Sequence, residues 1–570
     1  MFPVQKHGTK AQISSQSPLA CGDFDYLFPN GAPAPFDHSK RAAFTAFHQA
    51  LIENSDTVGA NNSPLPPIFT YFGQFIDHDI TGQMAVDGQA AETVDIFGAD
   101  FDAQPKQDVA RAIKNARTGR FDLDSLYGPA LPTGNHALDK LIGLMRYPKD
   151  RAKMWLARPE SFAGGIPDKL PKDGAADLLR LRRLMVAQHG EAAPHFSKAD
   201  FEALPAPNQA LHTLPNGDIN MRSAVIGEAR NDENLVIAQL QVAFLRFHNR
   251  VVDAYPHART SGDQEIVFNW AREQVRFHYQ WLVMNAYLPA VCDPVVVQQI
   301  IASGGQLYGD FLQSCHHEAG THFPMPLEFS VAAFRFGHSM VRGNYDWNSN
   351  FGRGPSETSR ARFQELFLFT GGSHTPLGGK NNVPENWIID WHRMALPNSE
   401  FADRSTRLID TNIALPLSTM VNEGEKPHEK NLAARNLKRS IRMSIPAAQS
   451  CIEALNTRYG LGIVPLTHVE LTSGKSGPEL EATGFAALTP LWYYVLKEAE
   501  LRQAGQRLGP LGSHIVAGTI AGLILHDPNS YWNQKGSQEG RWHPADGVRP
   551  SGQLVDSIPA MLRAALLMEG

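Results

Sequence analysis

The sequence predicts a mainly α protein, a single large helical domain with very little β structure. Three observations carry this. Apolar residues recur at three- and four-residue spacing, as in Phe69, Phe72, Ile76 and Ile80 and in Leu240, Phe244, Phe247 and Val251. Strand signals are scarce. No repeat, low-complexity tract or long Pro/Ser-rich linker divides the 570 residues. Length alone would allow several domains, but one domain over 61–570, preceded by an N-terminal arm over 1–60, is the economical organisation.

Residues 1–60 are Gly/Pro-rich to about Phe36 and then predict a short helix from about Ala42 to Ile52. The first strong helix follows the run Ser63-Pro64-Leu65-Pro66-Pro67, because proline is tolerated in a first turn and not later. Residues 91–128 read as loop, ending in Phe121-Asp122-Leu123-Asp124-Ser125-Leu126-Tyr127-Gly128. The 129–215 stretch mixes Pro/Gly loops with a charged helix from Ala175 to His189. Long helices are expected over 228–255 and from Gln264 to Leu288, then helix and loop over 296–322 and a short helix over 328–342. A Gly/Asn-rich stretch occupies 343–386, and helices follow near His392 and from Thr411 to Met420. The last third is helical at 446–458, 485–505 and 511–526.

A net charge of −6 gives no electrostatic reason to expect nucleic acid or an anionic membrane surface. Hydrophobic content of 42% with 19% charge is ordinary for a chain with ample core. Four cysteines, at 21, 292, 315 and 451, form no CxxC pair, which disfavours a thiolate zinc site. The first residues lack a continuous apolar run, and no stretch approaches the ~18 apolar residues of a membrane span. A cytoplasmic protein is the default expectation, with unconventional secretion as the other course.

Four constellations carry chemistry. In the first helix Gln74 and His78 are four residues apart and share a face, while Asp77 and Asp79 flank the histidine and point apart. A core helix whose His-Asp pair meets solvent explains this stretch equally well. Gly227-Glu228-Ala229-Arg230-Asn231-Asp232-Glu233-Asn234 opens the 228–255 helix, where acidic residues suit the dipole and Arg230 does not. A fixed guanidinium there suits an anion or a developing negative charge. In Ala333-Phe334-Arg335-Phe336-Gly337-His338, glycine removes bulk beside a histidine, which admits a flat cofactor; a satisfied core histidine is the commoner case. Asn431-Leu432-Ala433-Ala434-Arg435-Asn436 is by itself an ordinary basic helix.

Taken together, GQFIDHD, GEARNDEN, AFRFGH and LAARNLKRS followed by Ile445-Pro446 resemble the animal haem peroxidase (peroxidase–cyclooxygenase) superfamily, closest to its bacterial, myeloperoxidase-like branch, over roughly 60–530. The resemblance implies a haem b held between two helical layers. His338 matches the proximal iron ligand and Asn436 the asparagine that accepts its other ring N–H. His78 matches the distal acid–base residue, Arg230 the cation that stabilises charge as the O–O bond breaks, and Gln74 the residue that orients water, peroxide or halide. Arg335 matches a partner for a haem propionate or a nearby carboxylate. Asp77 and Glu233 match carboxylates that esterify haem methyl groups in mammalian relatives. Asn234 stands where myeloperoxidase has the methionine of a sulfonium link, so that third link is not expected. Asp79, Thr118, Asp122, Asp124 and the Arg120 carbonyl match a calcium loop, which the residues alone read as an Asx-type turn.

The implied function is reduction of hydrogen peroxide through an oxyferryl intermediate, with oxidation of a small reductant such as halide, thiocyanate or phenol, and a place in the response to oxidative stress. The alternatives are a fatty-acid dioxygenase of the same superfamily and a haem-binding adhesion or scaffold protein. Oxygenase relatives carry a radical tyrosine three residues before the proximal histidine, where this chain has Arg335. Two further polar clusters read as structural: Cys315-His316-His317-Glu318 with His322 as a loop, and His248 as a buried anchor.

Overall fold

A computed structural model describes residues 22–54, 62–86, 88–97, 101–162, 174–315, 323–353, 360–372, 380–397, 401–420, 427–550 and 552–569. Cys21 and the His316, His317, Glu318 and His322 cluster lie outside the described residues.

Helices dominate, and the expected mainly α class holds. Three sit at the centre. The helix Ile68–Ile80 starts where the proline run predicts, with Pro67 as its N-cap. It packs on Leu235–Asp253, where Phe75 stacks on Phe244 with ring centroids 4.8 Å apart and planes 7° from parallel. Tyr279, on Gln264–Leu282, meets both of those rings edge-on. The apolar helix Pro510–His526 lines a second part of the core, against Pro294–Ala302 and Gln306–Ser314. No helix among the described residues is long and apolar enough to cross a membrane.

β-Structure is confined to short pieces. The largest sheet has the order Gln83–Ala85, Ile113–Asn115, Gly22–Asp25, Met325–Pro326. Its first two pairings are antiparallel, with Met84 opposite Lys114 and Gly22 opposite Asn115, and the last is parallel, with Phe24 opposite Met325. Residues 22–54, within the stretch read as an arm, bury Tyr26, Phe44 and Phe47 in the same core as the rest. Glu328 fixes this segment by accepting the Leu27 and Phe28 N–H groups at 2.8 and 2.9 Å.

Several boundaries differ from expectation. The 228–255 helix begins only at Leu235, because the Asn234 side chain caps it by accepting from Ile237 N at 3.1 Å. Arg230 therefore sits in a separate 3-10 turn, Ala229–Asp232, and does not oppose the dipole of the long helix. The 328–342 helix is a π turn, Glu328–Ala332, followed by an eight-residue 3-10 run, Ala333–Met340. Runs of that length are uncommon and mark constrained segments. The charged helix from Ala175 to His189 is reduced to Leu181–Met185, because Asp177–Leu178 pairs as a strand with Leu156–Ala157. Thr411 to Met420 forms only a 3-10 turn, Leu415–Ser418.

Candidate active site between the 68–80 helix and the 333–340 turn

A cavity of about 830 Å³, its mouth included, opens between the Ile68–Ile80 helix and the Ala333–Met340 run. That is within the range of small-molecule and cofactor sites. Gln74, Asp77, Glu233 and Asn234 wall one side, and Phe334, Arg335, Gly337 and His338 the other. Tyr71, Tyr287, Phe363 and Phe367 supply much of the apolar lining.

The wall holding His338 is braced from behind. The Trp492 indole N–H donates to the Arg335 carbonyl at 3.2 Å. Arg335 turns its Nε onto Ser330 O at 3.0 Å. His338 Nδ1 lies 2.9 Å from Asn436 Nδ2, on the helix Leu432–Arg442 capped by Asn431. Asn436 is fully buried, and its Oδ1 has no hydrogen-bond partner among the described residues. The resemblance expects the amide oxygen, not the nitrogen, against this ring. Rotating the amide by 180° brings the orphaned oxygen onto an Nδ1–H and leaves Nε2 as the lone-pair nitrogen.

His78 is 0% exposed and lies behind the opposite wall. Its Nδ1 is 2.8 Å from Asn231 Oδ1, an acceptor only, so Nδ1 carries the proton and Nε2 is the basic nitrogen. Asn231 is itself oriented, donating from Nδ2 to Gln241 Oε1 at 2.9 Å. Burial, then the Arg230 charge, pushes the His78 pKa down to about 4, against the opposing pull of Glu233, Glu228 and Asp77. The ring is thus a neutral base at physiological pH.

Arg230 is held rather than mobile. Its NH2 donates to the Thr81 and His78 carbonyls and to Glu228 Oε2, while NH1 lies 3.7 Å from Asp77 Oδ2. Neither His78 nor Arg230 lines the cavity, whereas Asp77 and Gln74 do. Gln74 donates to Glu233 Oε1 and accepts from Asn234 Nδ2 at 3.4 Å. Asp77 accepts from Thr81 Oγ1 at 2.9 Å. Both Asp77 and Glu233 thus face the cavity.

A flat anionic cofactor fits this chamber on two observations. A Cβ built on Gly337 meets no atom within 4 Å, so the space beside His338 is open. The Arg335 guanidinium lines the same wall, bonded through Nε to a backbone carbonyl; burial pushes its pKa down, with Asp77 opposing and the Arg435 and Arg230 charges adding to the fall. A carboxylate tail would suit such a guanidinium.

A second cluster stands at the back of the same helix. Asp79, Asp122 and Asp124 bring carboxylate oxygens within 4.8 Å of one another. Asp79 and Asp124 are buried, and the Oδ2 atom of each has no hydrogen-bond partner among the described residues. Burial first, then repulsion from Asp124 and Asp122, raises the Asp79 pKa, and burial raises that of Asp124 to about 7 against the opposing pull of Arg117, with Asp122 adding to the rise. A hard cation with oxygen ligands fits such a set. Leu123, between two of the carboxylates, adopts φ +58° and is fully buried. A left-handed non-glycine residue costs about 1–3 kcal/mol and persists where the surroundings fix it. Thr118 Oγ1 lies at the rim, donating to Asp122 Oδ2 at 3.1 Å. The Arg120 side chain points away to Asp527 at 3.4 Å.

The sequence-based residues thus fall into two adjoining groups. Those it missed are Asn231, Gln241 and Arg117. Asn231 lies inside a quoted motif, but nothing in the spacing shows that its amide meets a ring 153 positions away. His248 is confirmed as a buried anchor, bonded to Tyr127 Oη at 3.0 Å and Ala152 O at 2.9 Å.

Comparison with known proteins finds similarity to haem peroxidases. Residues 180–449, a little under half of the chain, match the family model described as animal haem peroxidase. It is 25% identical over 222 residues to a chorion peroxidase of Drosophila melanogaster, spanning 37% of this chain and 24% of that protein. It is 23% identical over 340 residues to a peroxidase-like protein of Margaritifera margaritifera, spanning 56% of this chain and 38% of that one. Less than half of each relative's length is therefore represented. Among solved structures, peroxidase A from Dictyostelium discoideum is 16% identical with a TM-score of 0.49, covering 92% of this chain and 93% of that one.

Proposed function

We propose that the chain is a haem-dependent peroxidase that reduces hydrogen peroxide and oxidises a small reductant, of the halide, thiocyanate or phenol class. The observation that carries this reading is the cavity: an amide-backed imidazole at one wall, and a neutral, amide-oriented imidazole behind the other. His338 and Arg335 would hold the haem, and Asn436 would fix the ring tautomer of His338. Bound haem would supply a redox-active iron at which peroxide is cleaved.

The chain's own residues then have distinct tasks. His78 Nε2 accepts the proton of the incoming peroxide and returns it to the departing oxygen, so that water leaves rather than hydroxide. A pKa of about 4 keeps that nitrogen available as a base at neutral pH. The NH1 end of Arg230 stabilises negative charge on the cavity side, its NH2 end being anchored on two backbone carbonyls and Glu228. Gln74 positions peroxide or a small anion at the wall. Asp77 and Glu233 face the cavity and are the carboxylates for ester links to the haem. Calcium occupies the Asp79, Asp122 and Asp124 cluster, with Thr118 and the Arg120 carbonyl as further ligands, and braces the helix that carries His78.

The test is an optical spectrum of the haem-loaded protein followed by stopped-flow mixing with hydrogen peroxide. A histidine-ligated ferric haem that peroxide converts rapidly, and that a phenol or iodide returns to its resting spectrum, is the expected result. Oxygen uptake with a polyunsaturated fatty acid and no peroxide-dependent turnover would overturn it in favour of an oxygenase.

A further inference from the structure

Between the carboxylate cluster and Arg230, buried charges alternate in a line. Asp124 accepts Arg117 NH1 at 2.8 Å through Oδ1, and its carboxylate is also a member of the Asp79, Asp122 and Asp124 cluster. Arg117 NH2 donates to Glu228 Oε2. Glu228 accepts the Arg230 N–H at 2.8 Å and Arg230 NH2 at 3.1 Å. Arg117 and Glu228 are both 0% exposed. Gly227 sets their separation: a Cβ there would stand 2.3 Å from Asp124 O and 2.6 Å from Gly128 N. Only glycine lets the backbone entering Glu228 lie against the Asp124–Tyr127 turn.

Each inner member of the line is shared. Arg117 divides its charge between two carboxylates, and Glu228 divides its charge between two guanidiniums. Away from water such pairs feel one another strongly. A cation among Asp79, Asp122 and Asp124 draws on Asp124 and loosens its hold on Arg117. Arg117 then leans on Glu228, and Glu228 neutralises less of Arg230. The positive charge that Arg230 presents toward Asp77 and the cavity rises. Loss of the cation reverses each step.

We propose that Arg117 and Glu228 are positioning residues that transmit occupancy of the cation loop to the Arg230 guanidinium. The role given to Arg230 rests on the peroxidase reading; the linkage itself is reciprocal and can be read at the cation end.

The test is calorimetric titration of calcium into the haem-loaded full chain after calcium removal. Arg230→Gln releases Glu228 to Arg117, pulls Arg117 from Asp124, and tightens calcium binding by at least about fivefold. Glu228→Gln returns Arg117 to Asp124 and weakens calcium by a similar factor. With Glu228→Gln in place, adding Arg230→Gln has no further effect. Arg117→Met abolishes the response to Arg230→Gln; if that variant does not fold, Arg117→Lys, which keeps the charge but cannot span both carboxylates, does the same. Affinities that change by less than about twofold in the Arg230→Gln and Glu228→Gln variants overturn the proposal. So does a chain that binds no calcium, and in that case the spectrum and the peroxide reaction still judge the peroxidase reading separately.

Discussion

His78 shows how a single residue's chemistry is set by what surrounds it. Burial and the Arg230 charge bring its pKa down to about 4. The rate of the peroxide reaction is therefore expected to stay level from neutral pH to about 5 and to fall as pH drops through about 4. Arg230→Gln removes the charge that helps hold the pKa down, so the acid limb should move to higher pH. Stopped-flow rates across pH for the parent and the variant check this; an unmoved limb would mean burial alone sets the pKa. Removing the base itself, as His78→Ala, should slow the reaction by about 10²–10⁴-fold. The sequence made His78, Gln74 and Asp77 visible because residues on one helix have a fixed angular relation. It could not show Asn231 orienting the ring, since that contact joins a helix to a turn far along the chain. Nor could it show that Asp77 lines the cavity while His78 does not.

Elements meet here at distances that admit few substitutions. A Cβ on Gly73 would fall 2.3 Å from Tyr287 Oη. Tyr287 has no easy retreat, with Phe72 at 5.8 Å and Phe334 at 6.4 Å between ring centroids. Gly73→Ala should cost about 1–3 kcal/mol, as overpacking does. Adding Tyr287→Phe removes the clashing oxygen and should restore part of that loss, a non-additive pair in denaturant unfolding. Additive losses would show that the helix and the Val283–Tyr287 turn simply move apart. The same scale marks where helix prediction failed. Apolar periodicity placed the 68–80 helix within two residues of its start. It extended the next one backward through Arg230, because acidic residues imitate a first turn while the cap is an asparagine after them. The π and 3-10 turns around His338 have no periodic signature distinct from an α-helix of the same residues.

For the molecule as a whole, buried titrating groups pull stability in opposite directions with pH. His78, His248 and His278 each have pKa values lowered to about 4, chiefly by burial. The unfolded chain binds more protons there, so they make stability rise with pH from about 4 to the ordinary histidine value near ~6.5. Glu328 and Glu498 are raised to about 7, again chiefly by burial. The folded chain holds their protons, so they make stability fall with pH between the ordinary carboxylate range and about 7. Glu328→Gln with Glu498→Gln removes only the second contribution. Thermal midpoints of that double variant should climb more steeply between pH 4.5 and 6.5 than those of the parent, within the window the shifted groups define. Equal slopes would mean these glutamates titrate normally. The mainly α class was readable from the sequence because amphipathic spacing is local. Residues 22–54 were harder to place, because they join the body through a parallel pairing with Met325–Pro326 and through Glu328, some 300 positions away.

Asn234 bears on attempts to redesign the chain. Its amide fastens the start of the Leu235–Asp253 helix and also reaches Gln74. Installing a thioether at this position, to graft the sulfur linkage that the resemblance associates with myeloperoxidase, would unfasten that helix at a cost of about 1 kcal/mol. A designer pursuing chlorination would first have to rebuild the helix entry, and would find Gln74 re-aimed before any new bond had formed.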